Sequence, residues 1–288
     1  SVREHEGDRE VMNWCKRFYE MMGKRKLLEY LLFGVFIIFF YLPLMNLCML
    51  AFADKYEVPA ILPEKWGIKW WQFVFSQKDL VSSIGTSFVL AAVVTVVSLI
   101  ICIPAAYALA RMEFKGKKLF LFSFLLTNAY PKMGLYISIG IIFYKLNLMG
   151  TVLGVVLIHV LNTLMFMTWI PMGSFRSVHK QQEEAARDSG AGPIRTFFKI
   201  TLPMAAPGIA VASIFTFLAS IEEAQGTLLV GFPQIKTMPV VLYGVIMEYP
   251  TTAGPVLSLI MILPILLILL IAGKVLGGNI LSKGVSMH

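Results

Sequence analysis

EEAARDSGAGPIRTFFKITLP, residues 183–203, is a polar interruption between two long apolar runs of a 288-residue chain. Gln181, Gln182, Glu183 and Glu184 lead into it, and Lys180, Arg187, Arg195 and Lys199 lie within or beside it. Acids near the start of a short helix over 181–189 suit the positive end of its dipole. Gly190-Ala191-Gly192-Pro193 breaks that helix, and the proline can open a second one in its first turn. The second helix covers 194–200, with Ile194, Phe197, Phe198 and Ile200 as its apolar surface, and Leu202-Pro203 ends it before the next run. Two short helices joined by a sharp turn make a compact projecting element. An ordinary loop does not expose paired phenylalanines beside small alanines unless a partner covers them.

Outward from this insert the chain is mostly apolar. Hydrophobic residues make up 57% and charged residues 15%, with mean hydropathy +0.74, a membrane composition rather than a soluble one. Six runs reach the roughly 20 residues that a bilayer crossing needs: residues 27–52, 83–110, 119–144, 151–173, 206–230 and 254–277. The fold class expected is all-α, a polytopic membrane protein with six transmembrane helices and a cytoplasmic insert at about 177–203. Pro43, Pro104, Pro131 and Pro264 lie inside runs, where neighbours can re-satisfy the backbone.

Lys and Arg set the orientation. Seven in the N-terminal segment, four in 111–118, five in 176–199, and Lys274 with Lys283 place eighteen on one side. Lys55, Lys65, Lys69, Lys78, Lys145 and Lys236 place six on the other, and Lys132 lies inside a run. Both termini and the insert are therefore expected in the cytoplasm. Residues 8–26 put Val11, Trp14, Cys15, Phe18, Met21 and Met22 on one helical face, a helix lying on the cytoplasmic leaflet. WGIKWWQFVF, residues 66–75, supplies aromatics that anchor an interfacial helix on the outer side. The organisation expected is a cytoplasmic segment 1–26, one membrane domain 27–282 and a cytoplasmic tail 283–288. No cleavable signal peptide is expected, since a polar stretch of about 25 residues precedes the first run.

The net charge of +8 falls in short clusters rather than one stripe, so no nucleic-acid partner is expected. Cys15, Cys48 and Cys102 have neither metal nor disulfide spacing and read as small hydrophobes. The four histidines, His5, His159, His179 and His288, form no H-E-x-x-H, so no metal and no catalytic residue is expected.

Glu184-Ala185-Ala186, three residues, Gly190, nine residues, then ITLP at 200–203 resembles the EAA signature of permease subunits in binding-protein-dependent ABC importers. AAYALARMEFKGKK, residues 105–118, is similar to a cytoplasmic segment of the same family, and the likeness extends over about 250 residues. The resemblance implies that the insert is a coupling helix docked in a groove of a cytoplasmic ATPase. Glu184 would meet a basic residue there, Ala185 and Ala186 would allow close approach, and Gly190 would make the turn. Ile200, Leu202 and Pro203 complete the signature. It further implies a second permease subunit, a different chain, with two copies of the ATPase and an extracytoplasmic solute-binding protein. The setting is a lipid bilayer, the prokaryotic cytoplasmic (inner) membrane. No G-x-x-x-x-G-K-[ST] occurs, and GKVLGG at 273–278 has the wrong order. ATP and Mg are therefore expected on the partner ATPase, with no cofactor on this chain.

Polar residues inside a span default to function. The candidates for a solute path are Glu222 and Glu223 in the fifth run, Asn128, Tyr130 and Lys132 in the third, and Asn162, with His159 beside it, in the fourth. The two glutamates point about 100° apart on a helix, so at most one faces a cavity squarely. The structural alternatives are a satisfied bond for Glu223, a snorkelling Lys132 and a helix–helix bond at His159. SIEEAQ, residues 220–225, falls where sugar permeases of the family show WNEF and polyamine permeases DE. The expected role is import of a small polar solute, a carbohydrate or polyol, with a polyamine as the alternative. An ion-coupled secondary transporter would suit the spans and acids, but it has no need of the insert.

Overall fold

The computed structural model describes residues 2–249 and 252–285, with side chains at 26, 28–124, 126, 129–249, 252–271, 273 and 274. Helix α1 runs Val2–Ala51, and its apolar part, Leu28–Ala51, is long enough to cross a membrane. The helix continues unbroken past residue 26, the boundary expected for a surface segment. The face expected at 8–26 lies outside the described side chains. Among the described side chains, α1 exposes apolar surface all round, from Ile37 at 37% to Phe39 at 80% accessible, and is buried only at Leu50 and Ala51.

A short antiparallel pair, β1 (Ala53–Lys55) with β2 (Lys65–Trp66), follows and was not foreseen. Next comes α2 (Lys69–Ser76), which carries two tryptophans of the aromatic stretch. Trp71 Nε1 donates to Ala51 O at 2.8 Å and Trp70 Nε1 to Asp54 O at 3.3 Å, so these indoles fasten α2 to the end of α1 and to β1.

Helix α3 (Lys78–Arg111) is a full span. Its exit turn is closed by Lys117, which donates to Met112 O and to Glu113, and that bond holds the Glu113 carboxyl below the usual carboxylate range. The third apolar run is two helices rather than one, α4 (Lys117–Ala129) and α5 (Lys132–Lys145). Pro131 has no N–H to donate and drives the residue before it extended. Tyr130 accordingly sits at φ −82°, ψ 150°.

The fourth run is α6 (Val152–Ser177), capped by the Thr151 hydroxyl, which accepts from Gly154 N at 3.0 Å. The insert follows as α7 (Lys180–Asp188), a turn at Gly190, and α8 (Pro193–Thr196). Here the structure corrects a sequence expectation, because the second insert helix is not ended by Leu202-Pro203. A π-turn at Phe197–Thr201 leads directly into α9 (Leu202–Ile221), so Pro193–Ile221 is one continuous apolar span. A proline ring clashes with the carbonyl four residues back, and the wider π-turn relieves that crowding while its bonds span five residues.

The fifth run also breaks, between α9 and α10 (Gln225–Val230). Helices α11 (Met238–Glu248) and α12 (Ala253–Val285) complete the chain, and Ala253–Ile271 is the last span. Among the described residues, five long apolar helices plus the α4–α5 pair thus account for the six runs, and the protein is an all-α, multi-pass membrane protein.

Helices α3, α6 and α9 pack together as the centre. At the insert end the core joins Cys102, Ala106 and Leu109 to Met167, Met172 and Phe175 and to Ala205 and Ala212. Towards the opposite end, Leu90 and Val94 meet Tyr136, Phe143, Val155, Ile158 and Val230. A third cluster joins Trp70, Val74 and Leu80 to Val245, Val256 and Leu257.

Candidate functional site

The insert separates its residues by helical phase. On α7, Glu184 and Ala185 are exposed, Ala186 is half-buried and Glu183 is buried. Gly190 makes the turn at φ +87°, with its N–H on Arg187 O at 2.8 Å and the next N–H on Ala186 O at 3.0 Å. Beyond the turn, Phe197 turns inward against Tyr107 and Phe175, at ring distances of 4.9 and 6.1 Å. Ile194 and Phe198 point outward, 74% and 61% accessible. With Gly192, Pro193, Arg195 and Lys199 they line an open apolar groove of about 470 Å³. Ile200 and Leu202 are half-buried and Pro203 is exposed.

Behind this surface lies a buried ion pair that sequence reading did not single out. Arg111, the last residue of α3, donates to Glu183 Oε1 through Nε at 3.1 Å and Nη2 at 2.7 Å. The Thr201 hydroxyl reaches the same oxygen at 2.9 Å, and Arg111 Nη2 also holds Val178 O at 2.8 Å. The only sequence signal was the Glu183-Glu184 doublet, in which one acid matches the motif and the other has no stated task.

The second polar site is the break between α9 and α10. Glu223 is 5% accessible and both of its oxygens accept. Tyr136 of α5 donates to Oε2 at 2.9 Å, and Gly226 N donates to Oε1 at 2.8 Å. His159 of α6 bonds Ser220 Oγ through Nδ1 at 2.8 Å and Thr227 Oγ1 through Nε2 at 2.7 Å. The Thr227 hydroxyl also lies 3.3 Å from Glu223 O. A helix can break inside a membrane only where neighbours take up the freed backbone groups. Here α5 and α6 supply the side chains that frame the break, and Glu223 caps the start of α10.

The other path candidates are spread apart. Glu222, the C-cap of α9, is exposed, as is Gln225 three residues on, which the sequence reading passed over. Tyr130 and Lys132 are exposed on either side of Pro131, and Asn162 is half-buried on α6. The side chain of Asn128 lies outside the described residues. Among the described residues no hydrogen bond joins Glu222, Tyr130, Lys132 and Asn162 to one another.

Residues 102–279, more than half of the chain, match the family described as the binding-protein-dependent transport system inner membrane component. A diacetylchitobiose uptake system permease protein of Streptomyces coelicolor is 32% identical over 186 residues, 61% of this chain and 59% of that protein. A trehalose/maltose transport system permease protein of Thermococcus litoralis is 30% identical over 192 residues, 65% of this chain and 69% of that one. Among solved structures, a bacterial ABC transporter involved in import of the acidic polysaccharide alginate superposes with TM-score 0.69. That likeness covers 86% of this chain and 95% of the other at 19% identity, and it speaks to the fold alone.

Proposed function

Because the chain belongs to the inner membrane components of binding-protein-dependent transport systems, we propose that it is the membrane-spanning subunit of an ATP-driven importer and forms half of the path for a small carbohydrate. The observation that carries this reading is the insert. It turns Glu184, Ala185, Ile194 and Phe198 outward on a rigid base, a surface suited to a soluble motor chain. ATP hydrolysis then falls to two copies of a cytoplasmic ATPase, and a soluble binding protein delivers solute from outside. The apolar surface of α1 is covered by lipid and a second permease subunit, a different chain. The insert and both termini face the cytoplasm, supported by the excess of Lys and Arg on that side.

The carbohydrate class is supported by the diacetylchitobiose and trehalose/maltose permeases among its relatives. At the α9–α10 break Glu223 is spent on Tyr136 and Gly226, which leaves Glu222 and Gln225 as the acid and amide offered to a solute. Such a pair suits hydroxyl groups. Uptake of labelled diacetylchitobiose and of labelled putrescine in Glu222→Gln and Glu222→Ala strains tests this. Gln should retain appreciable sugar uptake, because its amide oxygen still accepts from a hydroxyl, whereas Ala should lose most of it. Putrescine uptake that fails equally in both variants would instead assign a polycation, whose affinity rests on the charge. Normal transport in both would remove Glu222 from the path.

A further inference from the structure

We infer that Arg111, Glu183 and Thr201 form the joint through which movement of the insert reaches the membrane-spanning helices. All three act as positioning residues, and the inference rests on the importer reading above. One carboxylate oxygen of Glu183 collects three donors, two from Arg111 and one from Thr201. Arg111 ends α3, Val178 caps the end of α6, Glu183 belongs to the insert, and Thr201 ends the π-turn that opens α9. One oxygen and one guanidinium thus tie the insert to all three helices of the central bundle. The side chains of Arg111 and Glu183 are only 11% and 7% accessible, so water competes little with the pair. Phe197 seals the same junction between Tyr107 and Phe175.

The geometry separates docking from transmission. Glu184 and Ala185 face outward, whereas Glu183 faces the bundle and adds nothing to the exposed surface. A charge-assisted, forked contact holds direction as well as distance. A push on the insert is therefore passed to α3, α6 and α9 together. Without the joint, α7 hangs from its two connections, and docking should persist while the far end of the bundle stops responding.

The test uses the whole transporter in proteoliposomes, with Glu222→Cys as a reporter in an otherwise cysteine-free background. Its labelling rate by an impermeant thiol reagent is compared with and without ATP and vanadate, so no solute is needed. With the joint intact, the rate should change by about fivefold or more, the low end of usual coupling between two sites. In Glu183→Gln and Thr201→Val the change should shrink to about twofold or less while ATPase chains still co-purify. Thr201→Ser should keep the response, because the hydroxyl remains. Should Glu183→Gln fail to accumulate, the double variant Arg111→Met with Glu183→Leu leaves no buried charge unpaired. That double variant should insert and dock yet not respond.

A full response in Thr201→Val and in the double variant, with the ATPase bound, overturns the joint. Absence of any ATPase from the unsubstituted transporter overturns the importer reading instead, so the two failures are distinct.

Discussion

Glutamate occurs as an adjacent pair at 183–184 and again at 222–223, and in each pair one carboxylate is buried and the other exposed. Glu183 and Glu184 are neighbours on α7 and point about 100° apart, so one faces the bundle and the other outward, whereas Glu222 and Glu223 lie at the break between α9 and α10. The inner member must find partners, because a buried charge without them is very costly. Glu183 finds Arg111 and Thr201, and Glu223 finds Tyr136 and Gly226 N. At this scale Gly190 yields a further prediction. Its φ of +87° is strained for any residue with a Cβ, yet a Cβ there would meet nothing within 4 Å. Backbone strain is then the whole cost, about 1–2 kcal/mol for most residues and less for Asn, which tolerates the left-handed region. Gly190→Asn should keep ATPase co-purification and uptake near normal, whereas Gly190→Trp should lower both about fivefold or more. Equal behaviour of the two variants would show that the turn conformation is irrelevant to docking.

Among the elements, the α6–α9 crossing sets how closely the insert-bearing helix approaches the bundle. Gly208 lies against Ser174, and a Cβ added there would fall on the Ser174 hydroxyl, which donates to Ile170 O at 3.2 Å. Small residues at such crossings let membrane helices approach closely. Gly208→Leu is expected to destabilise the packed bundle by about 1–3 kcal/mol, the usual cost of overpacking. A lower thermal unfolding midpoint in detergent is the measurement. Gly208→Ala should be milder, and Ser174→Gly should restore it by vacating the space. If Gly208→Leu leaves the midpoint unchanged, α6 and α9 are not held at this contact. The π-turn before α9 belongs to the same scale. It joins the insert to the fifth span without a loop, so displacement of α8 has no slack to cross before reaching α9.

For the whole molecule, α3 supplies the measuring rod. Its 34 residues span about 51 Å at the helical rise, and Ser76 and Ser177 lie near its opposite ends, both exposed. A cysteine at Ser177 should react with an impermeant thiol reagent only from the cytoplasm, and one at Ser76 only from outside. Reversed labelling would put the insert beyond reach of any cytoplasmic motor. Labelling of both positions from one side would contradict a membrane-spanning α3.

What the amino-acid order determined by itself is what depends on neighbours along the chain. Apolar runs of spanning length, the basic clusters between them, and the glycine and proline breaks at Gly190 and Pro131 are all local features. The insert's anchors, Glu184 through Pro203, follow from resemblance to a family signature, which is itself a pattern of spacing along the chain. The tertiary structure decided which residue of each glutamate pair faces inward, because the helical phase of α7 and the break after α9 have meaning only against packed neighbours. It also decided the partners. Arg111 and Glu183 are 72 positions apart, and Tyr136 and Glu223 are 87 apart. It joined the second insert helix to the fifth span, where Leu202-Pro203 alone signals an end, because a π-turn can absorb a proline that a regular α-helical turn could not.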